Sequence, residues 1–303
     1  MVLRIGVLGS SEGNGHPFSF SAIVNGYDPE RLRAAGWGAI NAYLDARDPV
    51  DFGFPLASVT HAWCPDPVET TALCEATHIP NAAEAPETLL GEVDAVIVAR
   101  DDWECHWELA EPFLNAGMPV FIDKPLSLDR HELEDFRPHL EAGRLMSCSG
   151  YRFAPELDGL RDVMVDRDRP LVLQGVGPRD WDRYAVHLVE PLLSLTGAQA
   201  QEVVRVNADH DAAVVTLSDG GALIVHCLGG EAPGFILNVT SARSRREIVL
   251  RDRFTAFRRL LGHFVQMIKD GEPAINPADT LAVMHVVIAG RKTRNHINDP
   301  RGR

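Results

Sequence analysis

The residues best placed to do chemistry sit in four short stretches. The most informative is FIDKPLS, residues 121–127. An apolar run delivers Asp123 and Lys124 at what reads as the C-terminal end of a buried strand, and Pro125 fixes the backbone directly after them. An ammonium desolvated there can lose its proton near neutral pH, which a guanidinium cannot do. Arginine serves almost everywhere else: of 29 basic residues only Lys124, Lys269 and Lys292 are lysine. The second stretch is VLGSSEGNGH, residues 7–16, an apolar run that ends in a glycine-rich turn before a helix. Such a turn lets backbone amides and a helix N-terminus approach the phosphates of a dinucleotide. Its spacing departs from GxGxxG. Gly9 holds the first position, Ser11 and Asn14 hold the second and third, and Gly13 and Gly15 are displaced by one. Ser10, Ser11 and His16 add polar side chains to the turn.

The third stretch, WCPDP, ends the next strand, where an acid is wanted for the adenosine ribose hydroxyls. Cys64 stands at that position and Asp66 two residues later. Either Asp66 takes over, or the cofactor carries a 2′-phosphate and no acid is needed. No arginine stands beside Cys64 to hold such a phosphate, which tilts the choice from NADP to NAD. The fourth stretch is WDRYAVHLVEPLL, residues 181–193. His187, Leu188, Pro191, Leu192 and Leu195 suit one helix, and a histidine near its start can face a cleft. Arg183 and Tyr184 precede it by about a turn, and Trp181 by nearly two. Arg100 and His106 in ARDDWECH, and Arg152 in GYRF, complete the candidates.

The elements around these stretches follow from apolar patterning. LRIGVLG, SVTHAWC, EVDAVIVA and PVFIDKPLS read as buried strands alternating with helices, the pattern of a parallel sheet. Residues 28–55 form an insertion after the first helix. The second half reads as consecutive strands, including VVTLSDGGALIVH, two alternating runs about an Asp-Gly-Gly turn. A helix at residues 184–195 interrupts them, and residues 255–295 are helical. The expected domains are 1–124 and 125–303, with the C-terminal helices packing back on the first.

Composition narrows the function. At 303 residues the chain is long enough for roughly two domains. A net charge of −14 argues against nucleic acid and anionic membranes as partners. Five scattered cysteines, an odd number with no CxxC pair, predict reduced thiols in a cytoplasm and no metal site. No apolar stretch is long enough to span a bilayer.

Taken together, these motifs resemble the Gfo/Idh/MocA oxidoreductases, the glucose-fructose oxidoreductase and inositol dehydrogenase family. IGVLG followed by GH, VDAVIVA with His106, AGMPVFIDKPLS, YRFAPEL and VHLVEPLLSLTG occur in the family's order. Aspartate replaces the glutamate of its E-K-P signature. The resemblance implies an N-terminal Rossmann-type parallel sheet binding NAD or NADP, then a C-terminal α/β domain. That second domain carries a large, mostly antiparallel open sheet, usually a surface for homodimers or homotetramers. It also implies hydride transfer at a hydroxyl-bearing carbon of a sugar, sugar derivative or cyclitol. Lys124 would orient the hydroxyl and help move its proton, and His187 would act as acid/base. Arg183 stands where the family often has aspartate, four residues before the histidine, and Tyr184 is the phenol available instead. The implied cofactor set is Gly9, Ser10, Ser11, Gly13, Asn14, Gly15, His16, Cys64, Asp66, Arg100, His106, Asp123 and Lys124. The implied substrate set is Lys124, Arg152, Trp181, Arg183 and His187. An NAD-dependent glycoside hydrolase of the same fold and a catalytically silent nicotinamide-binding regulator are the alternatives.

Overall fold

The computed structural model describes residues 2–163, 171–230 and 234–291, the side chains of 161–163 excepted. Six strands build the first sheet: β1 (Leu3–Leu8), β2 (Ala57–Trp63), β3 (Asn81–Ala82), β4 (Ala95–Val98), β5 (Val120–Ile122) and β6 (Leu145–Ser147). They pair in parallel in the order β3-β2-β1-β4-β5-β6. The four residues of β4 and the three of β5 are buried throughout, as expected where helices cover both faces of a sheet. The sixth strand lies beyond the expected domain break after Lys124. The stretch LMSCSGYRF gives three residues to the first sheet and then turns into a 3-10 helix at Gly150–Phe153.

Strand order reverses between β1 and β4, so a crevice opens at the C-terminal ends of these strands. All the stretches singled out in the first domain begin there. Aspartates set several helix starts nearby. Asp66 caps the helix Pro67–Ala76, Asp129 caps Arg130–Glu141 and Asp252 caps Arg253–Asp270. The inserted segment folds as two short helices, Pro29–Ala34 and Gly38–Leu44.

The second sheet contains β7 (Val172–Gly177), β8 (Ala200–Arg205), β9 (Asp211–Leu217), β10 (Ala222–Cys227), β11 (Phe235–Thr240) and β12 (Arg245–Leu250). Their order is β12-β11-β7-β10-β9-β8, antiparallel except for the β7–β10 pair. The expected hairpin is β9–β10. One face carries the helix Val186–Ser194. Gly175 in β7 permits this, because a Cβ there would lie 2.8 Å from the Leu188 Cβ. The helix Arg253–Asp270 returns to the first domain, where Phe257 packs its ring 5.1 Å from His16 and 5.2 Å from Phe20. The expected helical tail past residue 291 lies outside the described residues. Among the described residues, no helix is long and apolar enough to cross a membrane.

Candidate active site

The glycine-rich turn is knitted to the ends of β4 and β5. Ser11 Oγ donates to Asp101 Oδ1 at 2.7 Å and accepts the Asp101 N–H at 3.2 Å. Asn14 Oδ1 accepts the His16 N–H at 2.9 Å, while its Nδ2 lies 3.4 Å from both Asp123 Oδ2 and the Ala99 carbonyl. Ser10 Oγ donates to Glu69. The irregular spacing therefore has a physical account: Ser11 and Asn14 replace glycines because their side chains anchor the loop. Gly13 remains for a ligand. Gly13 has φ +75°, a left-handed backbone suited to glycine, and a Cβ there would meet nothing. Gly15 instead lies against the insertion, where a Cβ would stand 2.2 Å from Ile40 Cδ1. The following helix, His16–Asn25, starts after Gly15, which has no side chain to cap it.

A cavity of about 730 Å³ opens beside this loop, walled by Gly13, Trp37, Asp66, Glu69, Arg100 and Asp102 among others. Its position at the strand-order reversal, beside a left-handed glycine, fits a dinucleotide. The carboxylates of Glu12, Asp66, Glu69 and Asp102 suit hydroxyl donors, and Arg100 is already paired with Asp102.

Lys124 is buried at the end of β5. Its Nζ lies 3.8 Å from Asp101 Oδ2 and 3.8 Å from Asp123 Oδ2. Asp123 also receives His16 Nδ1 at 2.6 Å. Burial works to raise the Asp123 carboxyl, but His16 and Lys124 together outweigh it and hold the group below the usual carboxylate range. Lys124 Nζ lies 6.0 Å from the Tyr184 ring centroid, and that ring meets His187 edge-on at 5.7 Å. Lys124, Tyr184 and His187, far apart in sequence, thus form one cluster. Tyr151 and Phe235 complete the wall around the imidazole, at 5.5 and 5.2 Å. Burial pushes His187 well below its ordinary value, and the charges of Lys124 and His16 act in the same direction.

Behind the imidazole lies a network the sequence left unmarked. His187 Nδ1 is 2.7 Å from Ser149 Oγ, and the Ser149 amide donates to Glu190 Oε2 at 2.6 Å. Glu190 is 1% exposed, and Arg152 Nη1 lies 3.5 Å from its Oε1. Burial raises the Glu190 carboxyl, against the pull of Arg152 and the Ser149 amide, to about 7. A usable signal was present: Glu190 is the one acid within the apolar run VHLVEPLL, three residues after the histidine and so on its face.

Several expected ligands have other roles. Trp181 is buried and donates its indole N–H to the Val287 carbonyl at 2.8 Å, so it belongs to the core and not to a substrate surface. His106 is fully buried, with its ring nitrogens each 3.0 Å from a main-chain carbonyl, of Arg100 and Leu126. It ties two loops together and is not offered to a cofactor. The Cys64 thiol is buried under Gly9 and pushed up to about 12 by that burial, leaving no polar group for a ribose. Asp66 accepts the Val68 N–H as a helix cap while still lining the cavity. Arg152 is drawn inward to Glu190 and Asp279. Arg183 has its amide held by Asp180, and its guanidinium makes no ion pair with a described residue. Arg179, absent from the expected set, lies 5.4 Å over the Tyr184 ring.

Residues 35–146 match the Gfo/Idh/MocA family, described as an oxidoreductase family with an NAD-binding Rossmann fold. A curated relative from Amycolatopsis mediterranei, described as a UDP-kanosamine synthase oxidoreductase subunit, is 29% identical over 131 residues, 43% of this chain and 35% of the relative. The chain spans less than half the length of the curated relatives it matches. Among solved structures, myo-inositol dehydrogenase from Lactobacillus casei in complex with NAD(H) and myo-inositol superposes with a TM-score of 0.73 at 14% identity, covering 95% of this chain and 93% of that one. UDP-N-acetylglucosamine 3-dehydrogenase from Acidithiobacillus ferrooxidans superposes with a TM-score of 0.70 at 18% identity, covering 96% and 97%. At such identities the likeness is one of fold. The nucleotide-binding segment, residues 35–146, is thus similar to the Gfo/Idh/MocA oxidoreductase family, and the two-sheet fold is shared with these dehydrogenases.

Proposed function

We propose that this protein is an NAD-dependent oxidoreductase that moves a hydride to or from a hydroxyl-bearing carbon of a sugar, sugar derivative or cyclitol. The observation that carries this reading is the meeting of Lys124 and His187 around Tyr184, at the strand ends where an open parallel sheet holds its ligand. The cyclitol and nucleotide-sugar dehydrogenases that share the fold support the substrate class. When bound, the nicotinamide supplies or accepts the hydride. The backbone of residues 10–13, with its open turn at Gly13, holds the dinucleotide. Lys124 and His187 bind the reacting hydroxyl, and Lys124 exchanges its proton, which must leave when the carbon is oxidised. Tyr184, Tyr151 and Phe235 keep water from the imidazole. Arg183 stands ready for an anionic group on the substrate.

NAD is favoured over NADP because a 2′-phosphate would meet Glu12, Asp66, Glu69 and Asp102, with the Arg100 guanidinium already engaged. The open face of the second sheet, with Val204 and Val172 exposed on it, is the surface we assign to a homodimer or homotetramer. Five free cysteines fit a reducing, cytoplasmic setting.

The test is calorimetric titration with NAD, NADH, NADP and NADPH, followed by polyols and nucleotide sugars assayed through nicotinamide absorbance. NAD binding with turnover of a hydroxylated substrate supports the reading. Tighter binding of NADP reverses the cofactor choice. Cleavage of glycosides with no net cofactor turnover moves the assignment to a hydrolase, and binding without any turnover moves it to a regulator.

A further inference from the structure

The imidazole of His187 meets a hydroxyl where a carboxylate would ordinarily orient such a ring, and the other partners of that hydroxyl decide which ring nitrogen carries the proton. Ser149 follows β6 and is fully buried. Its amide is anchored on Glu190 Oε2, and its Oγ accepts the Tyr151 N–H at 3.2 Å. A hydroxyl has one proton and two acceptor pairs. With one pair taken by the Tyr151 amide, the proton has a single acceptor among the described residues, His187 Nδ1 at 2.7 Å. The opposite arrangement, an Nδ1–H donating to Oγ, would leave the serine proton buried and unpaired.

We propose that Ser149 is a positioning residue that donates to Nδ1 of His187 and holds the ring as the neutral tautomer with its proton on Nε2. His187 then meets the substrate oxygen as a hydrogen-bond donor, and the Lys124 ammonium gives that oxygen its proton when the carbonyl is reduced, the same proton returning to Lys124 Nζ on oxidation. The charged groups that face the ring agree with a neutral imidazole. Lys124 and His16 from the first domain and Arg253 from the returning helix oppose a second proton, and Asp123 alone favours one. Rings of Tyr151, Tyr184 and Phe235 occupy the remaining sides. The tautomer stands on this geometry, and its catalytic consequence rests on the oxidoreductase reading.

The test is nitrogen NMR on the full-length protein labelled at histidine, with the His187 signals assigned by their loss in His187→Gln. Without substrate, Nδ1 should be unprotonated and Nε2 protonated over roughly pH 6 to 8, across the ordinary histidine range. Ser149→Ala should mix the tautomers, and Ser149→Thr, which keeps the hydroxyl, should restore the single form. With a substrate in hand, Ser149→Ala should lower kcat by about ten- to a hundredfold with KM and NAD affinity within about twofold, less than the full loss of an acid/base group. A protonated Nδ1 or an imidazolium in the native protein overturns the proposal, as does an unchanged tautomer in a folded Ser149→Ala variant. Should Ser149→Ala fail to fold, the native spectrum and Ser149→Thr decide. Failure to bind NAD would sink the oxidoreductase reading and leave the tautomer result intact.

Discussion

Replacing Glu190 with glutamine should remove a pH dependence from the stability of the fold. The carboxyl is fully buried and raised from 4.5 to about 7, so the folded protein holds that proton more tightly than the unfolded chain does. A group raised in this way contributes stability that is complete below its unfolded value and is lost as pH rises through its folded value. The window is therefore about pH 4.5 to 7, and a shift of this size corresponds to about 3 kcal/mol. His106 and His187, both lowered by burial, act in the opposite sense and gain stability as pH rises through the ordinary histidine range. The absolute profile thus mixes both effects, but the difference between native and variant chains isolates Glu190. Glutamine keeps an acceptor for the Ser149 amide, and Arg152 retains Asp279 at 3.1 Å. In urea unfolding followed by tryptophan fluorescence, the stability of Glu190→Gln relative to the native chain should rise by about 2.5 kcal/mol between roughly pH 5 and pH 8.5. A difference constant within about 0.5 kcal/mol would refute the argument and mean that Glu190 is ionised against Arg152 throughout.

Lys124→Met should lower kcat by about a hundredfold or more, the scale of one lost acid/base group, with NAD affinity nearly unchanged by calorimetry. Lys124→Arg should not rescue it, and full turnover in either variant would exclude Lys124 from the chemistry. Gly15→Ala places a methyl 2.2 Å from Ile40 Cδ1 and 2.7 Å from Trp37 Cε3. It should cost about 1–3 kcal/mol in chemical denaturation, and Ile40→Ala in the same chain should return part of that cost. Light scattering at micromolar concentration should give a dimer or tetramer, and a monomer would contradict the role assigned to the open sheet face.

Local signals in the amino-acid sequence determined most of the architecture. Uninterrupted apolar runs marked β4 and β5, and the run IGVL marked the buried end of β1, because a parallel strand is buried on both faces. Asp-Gly-Gly between alternating runs marked the β9–β10 hairpin, since that turn needs a backbone glycine adopts. Lys124 was legible because strand, lysine and proline are contiguous, and strand ends in such sheets point into the crevice. Tertiary structure alone decided the rest. Trp181 and His187 lie within two turns of one another, yet the indole enters the core to reach Val287, 106 residues away, while the imidazole faces Lys124. His106 carries the same chemistry as His187, but both of its ring nitrogens are buried against main-chain carbonyls. Ser149 and Glu190 gain their roles only because Gly175 lets a helix settle close to β7 and against the turn after β6. Hydrogen-bond partners such as these are set by which elements pack together. A strand or a cap is dictated within a few residues, whereas the protonation and orientation of a buried side chain depend on neighbours drawn from the whole chain.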